Sequence, residues 1–397
     1  MLSTNRRNVL ILSFSLVVVT LGFGLVMPIM PFYMERFGAG GTELGLLVAS
    51  YAVMRLIFGP IWGSLSDRVG RKPILLIGVL GYGITMVGFG LATRLWVMFA
   101  ARILAGVLSA ATSPTTMAYI SDSTTEEQRG GGMGTLGVAA GLGTIFGPAL
   151  GGLLAERSLA TPFFVAAGLS FLALILIVVL LPESLQEDSR SGDGVSRRTL
   201  DPRAWWGALR SPVGLPLVMA FIAAGGMMAF YGVLGLFALE RFGYGTDRVG
   251  LVFTVLGLVT AIGQGTLVGP LTRGLGDALV IRYGFLLSAL ALLGVLLPSG
   301  YAPLELPIGI FGLINAVLMP SITSLTSKRA TLSQGVTMGL SNSFVSLGRI
   351  VGPLLGGLAF DYHWCLPIVG GALVMLAGFF GSRPAHAARA PRHPSPR

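Results

Sequence analysis

Charged residues are scarce in this chain. They make up 11% of its 397 residues, whereas soluble globular domains average about 25%. The mean hydropathy is +0.80, and so apolar a composition excludes a water-soluble fold. By composition, the chain is a membrane protein.

Cysteine and histidine are almost absent as well. The single cysteine, Cys365, can form neither a disulfide within the chain nor a cysteine-based metal site. Two of the three histidines, His386 and His393, lie near the C-terminus, so no pattern suggests a metal cluster or histidine-based catalysis. The chain also shows no nucleophile motif and no nucleotide-binding loop. We therefore expect no enzyme, no metal and no cofactor.

Long apolar runs dominate the sequence instead. A helix needs about 20 apolar residues to cross the hydrocarbon core of a bilayer. Twelve runs of roughly this length lie near residues 8–33, 43–64, 73–92, 96–120, 133–155, 162–181, 213–238, 249–271, 279–298, 303–326, 335–360 and 364–381. The pattern predicts an all-α integral membrane protein with twelve transmembrane helices.

A glycine-rich segment occurs twice. Gly143–Gly152 reads GTIFGPALGG, and Gly348–Gly357 reads GRIVGPLLGG. Glycines four residues apart let helices approach closely, and a proline bends its helix. A repeat at half the chain length predicts two pseudo-symmetric six-helix lobes, each with a hinge helix, although simple packing of small residues is the alternative. The candidate hinge residues are Gly143, Gly147, Pro148, Gly151, Gly152, Gly348, Gly352, Pro353, Gly356 and Gly357.

Basic residues divide the loops into two classes. Most of the 27 lysines and arginines lie in the termini and in every second loop, which predicts a multi-pass protein of the cell membrane with both termini in the cytoplasm. The high pI, near 10.3, is then explained by the basic residues of the predicted cytoplasmic loops and termini. No basic segment alternates with aromatic residues as a nucleic-acid surface would, so we expect no nucleic-acid partner.

The same loops divide the chain into domains. We predict a first lobe at 1–182, a cytoplasmic linker at 183–211 with a short surface helix near Pro202–Leu209, and a second lobe at 212–382. The remaining residues, 383–397, are predicted to form a basic disordered tail that is attracted to anionic membrane lipids. We expect the protein to be a monomer.

The loop between the second and third spans carries a dense motif. Gly63–Pro73 reads GSLSDRVGRKP, in which glycines permit a tight turn and Asp67 ends a helix where it can pair with arginine. The segment resembles the loop signature of the major facilitator superfamily, GxLxDRxGRK. A basic cytoplasmic loop would explain the positive charges but not this spacing. The resemblance implies a conformational latch that holds the lobes together in one state, formed by Gly63, Asp67, Arg68, Gly70, Arg71 and Lys72.

Other segments narrow the resemblance. The equivalent loop of the second half, Gly269–Gly276, has Arg273 in the place of Asp67, which predicts a degenerate second latch. Leu21–Pro31 resembles the paired-proline motif of twelve-helix drug exporters, and Arg102–Gly106 is similar to the RxxxG motif of the superfamily. Gly147–Gly152 resembles a helix signature found mainly in drug:proton antiporters. This branch implies that Arg102 takes part in proton coupling.

Acidic residues are missing from the middle of every predicted span. All 17 can be assigned to loops or helix ends, whereas proton-coupled exporters of cationic drugs usually carry a buried carboxylate. Because three arginines lie in spans, we expect neutral or anionic substrates. If transport is coupled to protons, we expect the coupling residues to be Arg102 and an acid at a helix end, either Asp122 or Glu35.

Polar and proline side chains in the spans are candidates for substrate contact. For the polar ones, hydrogen bonds between helices are the alternative role, and for Arg55 the alternative is snorkelling. The candidates are Pro28, Pro31, Arg55, Tyr231, Gln264, Asn315, Asn342 and Arg349.

Together these features predict a secondary active transporter that exports small molecules by alternating access, with protons as the coupling ion that the resemblance implies. A facilitator or importer of a sugar or an organic anion on the same fold is one alternative. A non-transporting membrane receptor is another, although it would not require the latch loop and both hinge motifs.

Overall fold

The structure is a computed structural model that describes residues 2–185, 202–297, 304–330 and 333–382. The described residues form helices joined by short loops. These helices are α1 (Leu2–Arg36), α2 (Gly41–Val69), α3 (Arg71–Gly90), α4 (Leu95–Ser109), α5 (Thr112–Ser123), α6 (Glu126–Ala155), α7 (Thr161–Leu180), α8 (Pro202–Leu209), α9 (Gly214–Tyr231), α10 (Leu234–Phe242), α11 (Thr246–Thr266), α12 (Val268–Leu275), α13 (Asp277–Gly294), α14 (Glu305–Lys328), α15 (Gln334–Tyr362) and α16 (Leu366–Gly381).

The predicted all-helical membrane fold is confirmed. Within the described residues, eleven helical segments are long and apolar enough to cross a membrane, with α4–α5 and α9–α10 each counting as one. The twelfth predicted span is α16, which has 16 residues and is therefore only about 24 Å long at 1.5 Å per residue. The short helix predicted at Pro202–Leu209 is α8. The predicted tail, 383–397, and most of the predicted linker lie outside the described residues.

The repeated glycine segments bring equivalent helices into backbone contact. In α6, a Cβ added to Gly147 would lie 2.6 Å from the carbonyl oxygen of Leu21 in α1. In α15, a Cβ added to Gly352 would lie 2.5 Å from the carbonyl oxygen of Gly225 in α9. Only glycine permits such an approach. The α1–α6 and α9–α15 pairs are therefore packed in the same way, although α6 and α15 continue as helix through Pro148 and Pro353.

The last glycine of each segment contacts the other half of the chain. Gly152 of α6 lies against Gly250 of α11, where an added Cβ would be 3.0 Å from the Gly152 Cα atom. Gly357 of α15 packs on Gly41 and Gly45 of α2. We call these two contacts the glycine seams, because backbone meets backbone across them.

Both glycine seams close at one end of the bundle and open at the other. An α-helix repeats its face every 18 residues, about five turns, so Gly134 lies on the same face of α6 as Gly152, and Gly59 on the same face of α2 as Gly41. No atom of another element would lie within 4 Å of a Cβ at Gly134 or Gly59. We call the closed end the Asp361 end and the open end the Arg71 end, after the residues at each.

Candidate functional site

A buried arginine occupies the middle of the first half. Arg102 of α4 is 2% exposed, and its guanidinium carbon lies 4.6 Å from the centre of the Tyr51 ring and 5.8 Å from that of Phe23. Its Nε and Nη2 atoms have no hydrogen-bond acceptor among the described residues. The Tyr51 hydroxyl lies 3.1 Å from the Ser109 hydroxyl. Aromatic faces rather than a carboxylate therefore surround this charge.

Two further arginines lie in membrane-spanning helices, one in each half of the chain. Arg55 of α2 is exposed, with its guanidinium carbon 5.7 Å from the centre of the same Tyr51 ring. Arg349 of α15 is also exposed. Because α15 packs directly on α2, with the Pro353 carbonyl oxygen against Gly45, the two positive charges lie on neighbouring helices. Both residues lie mid-helix, where the α2–α15 contact gives way to the open Arg71 end.

The polar substrate-contact candidates occupy different surroundings. Gln264 and Asn342 are exposed, and Tyr231 is half-buried, with its ring centre 5.7 Å from that of Phe311. Asn315 is buried between α14 and α13, where its amide donates to the Phe311 carbonyl oxygen at 2.9 Å and faces the Ser288 hydroxyl at 3.4 Å. The structure thus places Asn315 in a contact between helices.

The two proline candidates lie in packed surroundings. Pro28 and Pro31 of α1 are both buried. Pro31 packs against Gly235 of α10, where an added Cβ would lie 2.7 Å from the proline ring. Contact between these prolines and a substrate stays a prediction.

The predicted latch residues form a network around Arg71. The Arg71 guanidinium pairs with Asp67 at 2.5 Å and with Asp122 at 2.8 Å, and it donates to the Ser66 hydroxyl at 2.7 Å. Arg71 follows Gly70, whose φ of 117° favours glycine. All these partners belong to the first half, so this network does not join the two halves in the conformation described. The predicted latch between lobes stays a prediction.

An acidic residue not singled out from the sequence completes this network. Glu183, which follows α7, accepts hydrogen bonds from the backbone N–H groups of Arg71 and Lys72 at 2.9 and 3.1 Å. Its carboxylate thereby satisfies orphan donors at the first turn of α3. The Lys72 ammonium donates to the Val178 carbonyl oxygen at 2.9 Å. The signal in the sequence is Glu183 itself, an acid placed directly after the sixth span.

The second half contains a copy of this arrangement with the charges reversed. Asp277 is the first residue of α13 and follows Gly276, whose φ is 79°. Its carboxylate pairs with the Lys328 ammonium at 2.6 Å and accepts from the Ser324 hydroxyl at 3.0 Å. Arg273, at the position of Asp67, donates to the Gly269 carbonyl oxygen at 3.2 Å. The second loop therefore keeps the turn and the ion pair with opposite signs.

A carboxylate joins the two halves at the opposite end. Asp361, near the end of α15, accepts from the backbone N–H groups of Gly41 at 2.6 Å and Thr42 at 2.9 Å, and also from the Thr42 hydroxyl. Because these N–H groups begin α2, the negative charge sits at a helix N-terminus, where it is stabilised. We call this contact the Asp361 clamp. The sequence shows Asp361 four residues after Gly357, but its partner is visible only in three dimensions.

The structure does not bring the three coupling candidates together. Asp122 pairs with Arg71 at the Arg71 end, whereas Glu35 is exposed at the last turn of α1, at the Asp361 end. Arg102 lies buried between them. Among the described residues, no group of three His, Cys, Asp or Glu side chains is placed to hold a metal ion.

An apolar groove lies apart from the three arginines. It has a volume of about 230 Å³ and runs between α9, α15 and α16. Its lining carries no charged side chain, and it includes the exposed Leu355 and Val374. Arg55, Arg102 and Arg349 are not among its lining residues.

Comparison with known proteins gives a consistent result. The sequence model of the Major Facilitator Superfamily matches residues 12–353. The chain is 32% identical over 372 residues to Multidrug resistance protein 2 of Bacillus subtilis, covering 93% of this chain and 92% of that protein. It is 29% identical over 373 residues to Quinolone resistance protein NorA of Staphylococcus aureus, covering 94% and 95%. A solved bacterial homolog of the human lysosomal transporter Spinster has a TM-score of 0.76 at 15% identity, covering 96% and 95%.

Proposed function

The chain belongs to the Major Facilitator Superfamily, and on that premise we propose that it exports small molecules across the cell membrane by alternating access. It is a transporter and not an enzyme. Relatives named for multidrug and quinolone resistance, aligned over nearly the whole chain, support drug efflux.

The asymmetric closure of the glycine seams carries this proposal. The two halves touch at Gly152–Gly250 and at Gly357–Gly41, and they separate toward Gly134 and Gly59. In such an arrangement, the region between the halves at the middle of the membrane is accessible from one side of the membrane only, as alternating access requires. The lobes that would rock against each other are 1–182 and 212–382, joined by the linker 183–211 and followed by the tail 383–397.

We assign the Arg71 end to the cytoplasm. The loop that holds Arg68, Arg71 and Lys72 lies at this end, and the positive-inside rule places such loops in the cytoplasm. Both termini then face the cytoplasm, and the structure corresponds to a state that is open inward. The Asp361 clamp would close the outer side. The predicted latch around Asp67 would bridge the lobes only in the other state.

The three arginines favour neutral or anionic substrates. Among the described residues, every acid lies at or near a helix end, so no carboxylate balances Arg55, Arg102 and Arg349 in mid-membrane. A cation in this cavity would be repelled. Proton coupling would therefore run through a helix-end acid, with Glu35 and Asp122 as the candidates.

Transport into everted membrane vesicles tests the proposed function. We expect uptake of a quinolone carboxylic acid that rises when a pH gradient, acidic inside, is imposed. Asp67→Asn should insert normally yet reduce uptake, whereas Asp247→Asn, an exposed acid at a helix start outside the network, should not. Glu35→Gln and Asp122→Asn then identify the coupling acid.

Two outcomes would contradict this function. Absence of any gradient-driven uptake, with equilibration of the acid alone, would favour the facilitator on the same fold. Strong gradient-driven uptake of a lipophilic cation, with none of the acid, would overturn the substrate preference.

A further inference from the structure

Arg55 and Arg349 are two exposed positive charges inside membrane-spanning helices. Arg55 comes from α2 and Arg349 from α15, so the two guanidinium groups belong to opposite halves of the chain. Both are exposed, and like charges on two helices that pack on each other repel. No salt bridge joins either one to an acid within the described part of the chain. Unpaired charges at this depth are costly unless water or a partner compensates them.

Arg102 adds a third positive charge that no carboxylate balances. The Arg55 and Arg102 guanidinium groups both approach the Tyr51 ring, with their carbons 5.7 and 4.6 Å from its centre. Two nitrogen atoms of the buried Arg102 side chain have no acceptor in the described protein. Arg102 is too deeply buried to touch a substrate in this state. Its charge nevertheless adds to the positive electrostatic potential near Arg55, because both residues lie close to the Tyr51 ring.

We propose that Arg55 and Arg349 form a subsite for one anionic group of the substrate, such as a carboxylate, which bridges the two halves of the transporter. A carboxylate offers two oxygens, and a guanidinium presents a planar fork of donors that matches them. One anion between two guanidinium groups replaces their repulsion by attraction on both sides. This subsite rests on the proposed export function and assigns its substrate class.

The position of the subsite links binding to movement. Arg349 is one turn before Pro353, whose carbonyl oxygen lies against Gly45, and Arg55 is about one turn before the uncontacted Gly59. The pair therefore stands where the closed part of the α2–α15 contact ends. Repulsion keeps the empty cavity open there, and a bridging anion draws α2 and α15 together, so the loaded protein closes toward the Arg71 end.

Direct binding to the purified protein in lipid nanodiscs tests the subsite without transport. The probes are nalidixic acid, a quinolone-type carboxylic acid, and its ethyl ester, which differ only in the anionic group. We expect the acid to bind at least about 10-fold more tightly than the ester, the effect of a charged hydrogen bond. Arg55→Gln and Arg349→Gln should each remove this preference while leaving ester binding unchanged.

Matched variants separate the subsite from general effects of charge. Arg282→Gln removes a guanidinium that lies over the Phe379 ring, 5.1 Å from its centre, between α13 and α16, and should leave binding of the acid unchanged. Arg349→Lys keeps the charge without the fork and should retain part of the preference. Spin labels at Val69 and Leu275, both exposed at the Arg71 end, should approach each other when the acid binds but not when the ester binds.

The outcomes distinguish the two proposals. Equal binding of acid and ester, no binding of the acid, or an equal loss in Arg282→Gln would overturn the anion subsite. A protein that shows the expected binding pattern but moves no compound into vesicles would refute the export function and leave the subsite standing.

Discussion

Asp361→Asn should open the end of the molecule that the structure shows closed. The Asp361 carboxylate accepts two backbone hydrogen bonds and one from the Thr42 hydroxyl, all across the boundary between the halves. An asparagine of the same shape offers one oxygen instead of two and carries no charge for the N-terminus of α2. We therefore expect the closed state to lose stability relative to the state with this end open.

The size of the effect follows from the exposure of the contact. A carboxylate at an exposed helix N-terminus contributes about 0.3–1 kcal/mol, and a hydrogen bond to a charged group contributes about 1.5–3 kcal/mol when shielded. Because two of the three bonds are exposed, about 1–2 kcal/mol is the appropriate range. This changes the ratio of closed to open molecules by about 5–30-fold.

Distance measurements between spin labels can detect a shift of this size. Arg94 and Leu297 lie in loops at the Asp361 end of opposite halves, and both are exposed, so cysteines there can be labelled after Cys365→Ser. The parent protein should show a short distance, and Asp361→Asn should add a longer component. Glu156→Gln is the matched control, because Glu156 ends α6 as Asp361 ends α15.

The result can refute the reasoning directly. Identical distance distributions for the parent and for Asp361→Asn would show that the clamp contributes nothing to closure. An equal shift in Glu156→Gln would show that any loss of negative charge at this end has the same effect, and that the specific bonds to α2 are unimportant.

Three further changes test other contacts. Gly152→Val should abolish transport by forcing α6 from α11, whereas Gly137→Val, on the open part of the same helix, should leave expression and folding unchanged; equal tolerance of both would reduce the seam to ordinary packing. Arg102→Lys should not restore the transport lost in Arg102→Gln, because an ammonium lacks the planar face that stacks on the tyrosine ring; full uptake by Arg102→Lys in vesicles would contradict this. Asp277→Asn should lower the thermal midpoint, at a cost of about 1 kcal/mol because Lys328 is largely exposed, and exchanging the two residues as Asp277→Lys with Lys328→Asp should recover part of it; no recovery in a thermal unfolding assay would show that the pairing itself is unimportant.

The positions of the helices were predictable because hydrophobic length determines them. Each apolar run became a helix or a pair of helices, and the repeated GxxxGPxxGG segments indicated close helix contacts. The arginines in the spans were equally visible. Their partners were not, because Tyr51 reaches Arg102 only through the packing of α2 on α4.

Contacts between the halves escaped prediction for a different reason. The Asp361 clamp joins residues about 320 positions apart, and no local sequence pattern indicates such a pairing. The reversed ion pair is not evident from the motif alone, because Arg273 in the place of Asp67 predicts a degenerate latch. Asp277 stands four residues after Arg273, as Arg71 stands four after Asp67, and this spacing was the available signal.

The glycine seams also determine what must change when the halves part. Gly152, Gly250, Gly41 and Gly357 have no side chains, so no rotamer is frozen when the seam forms and none is released when it opens. If leucines formed this interface, their side-chain entropy would change each time the contact opened or closed. The side chains would also have to repack each time it closed. At these four positions backbone meets backbone, so their side-chain entropy contributes nothing to the balance between the closed and the proposed open state.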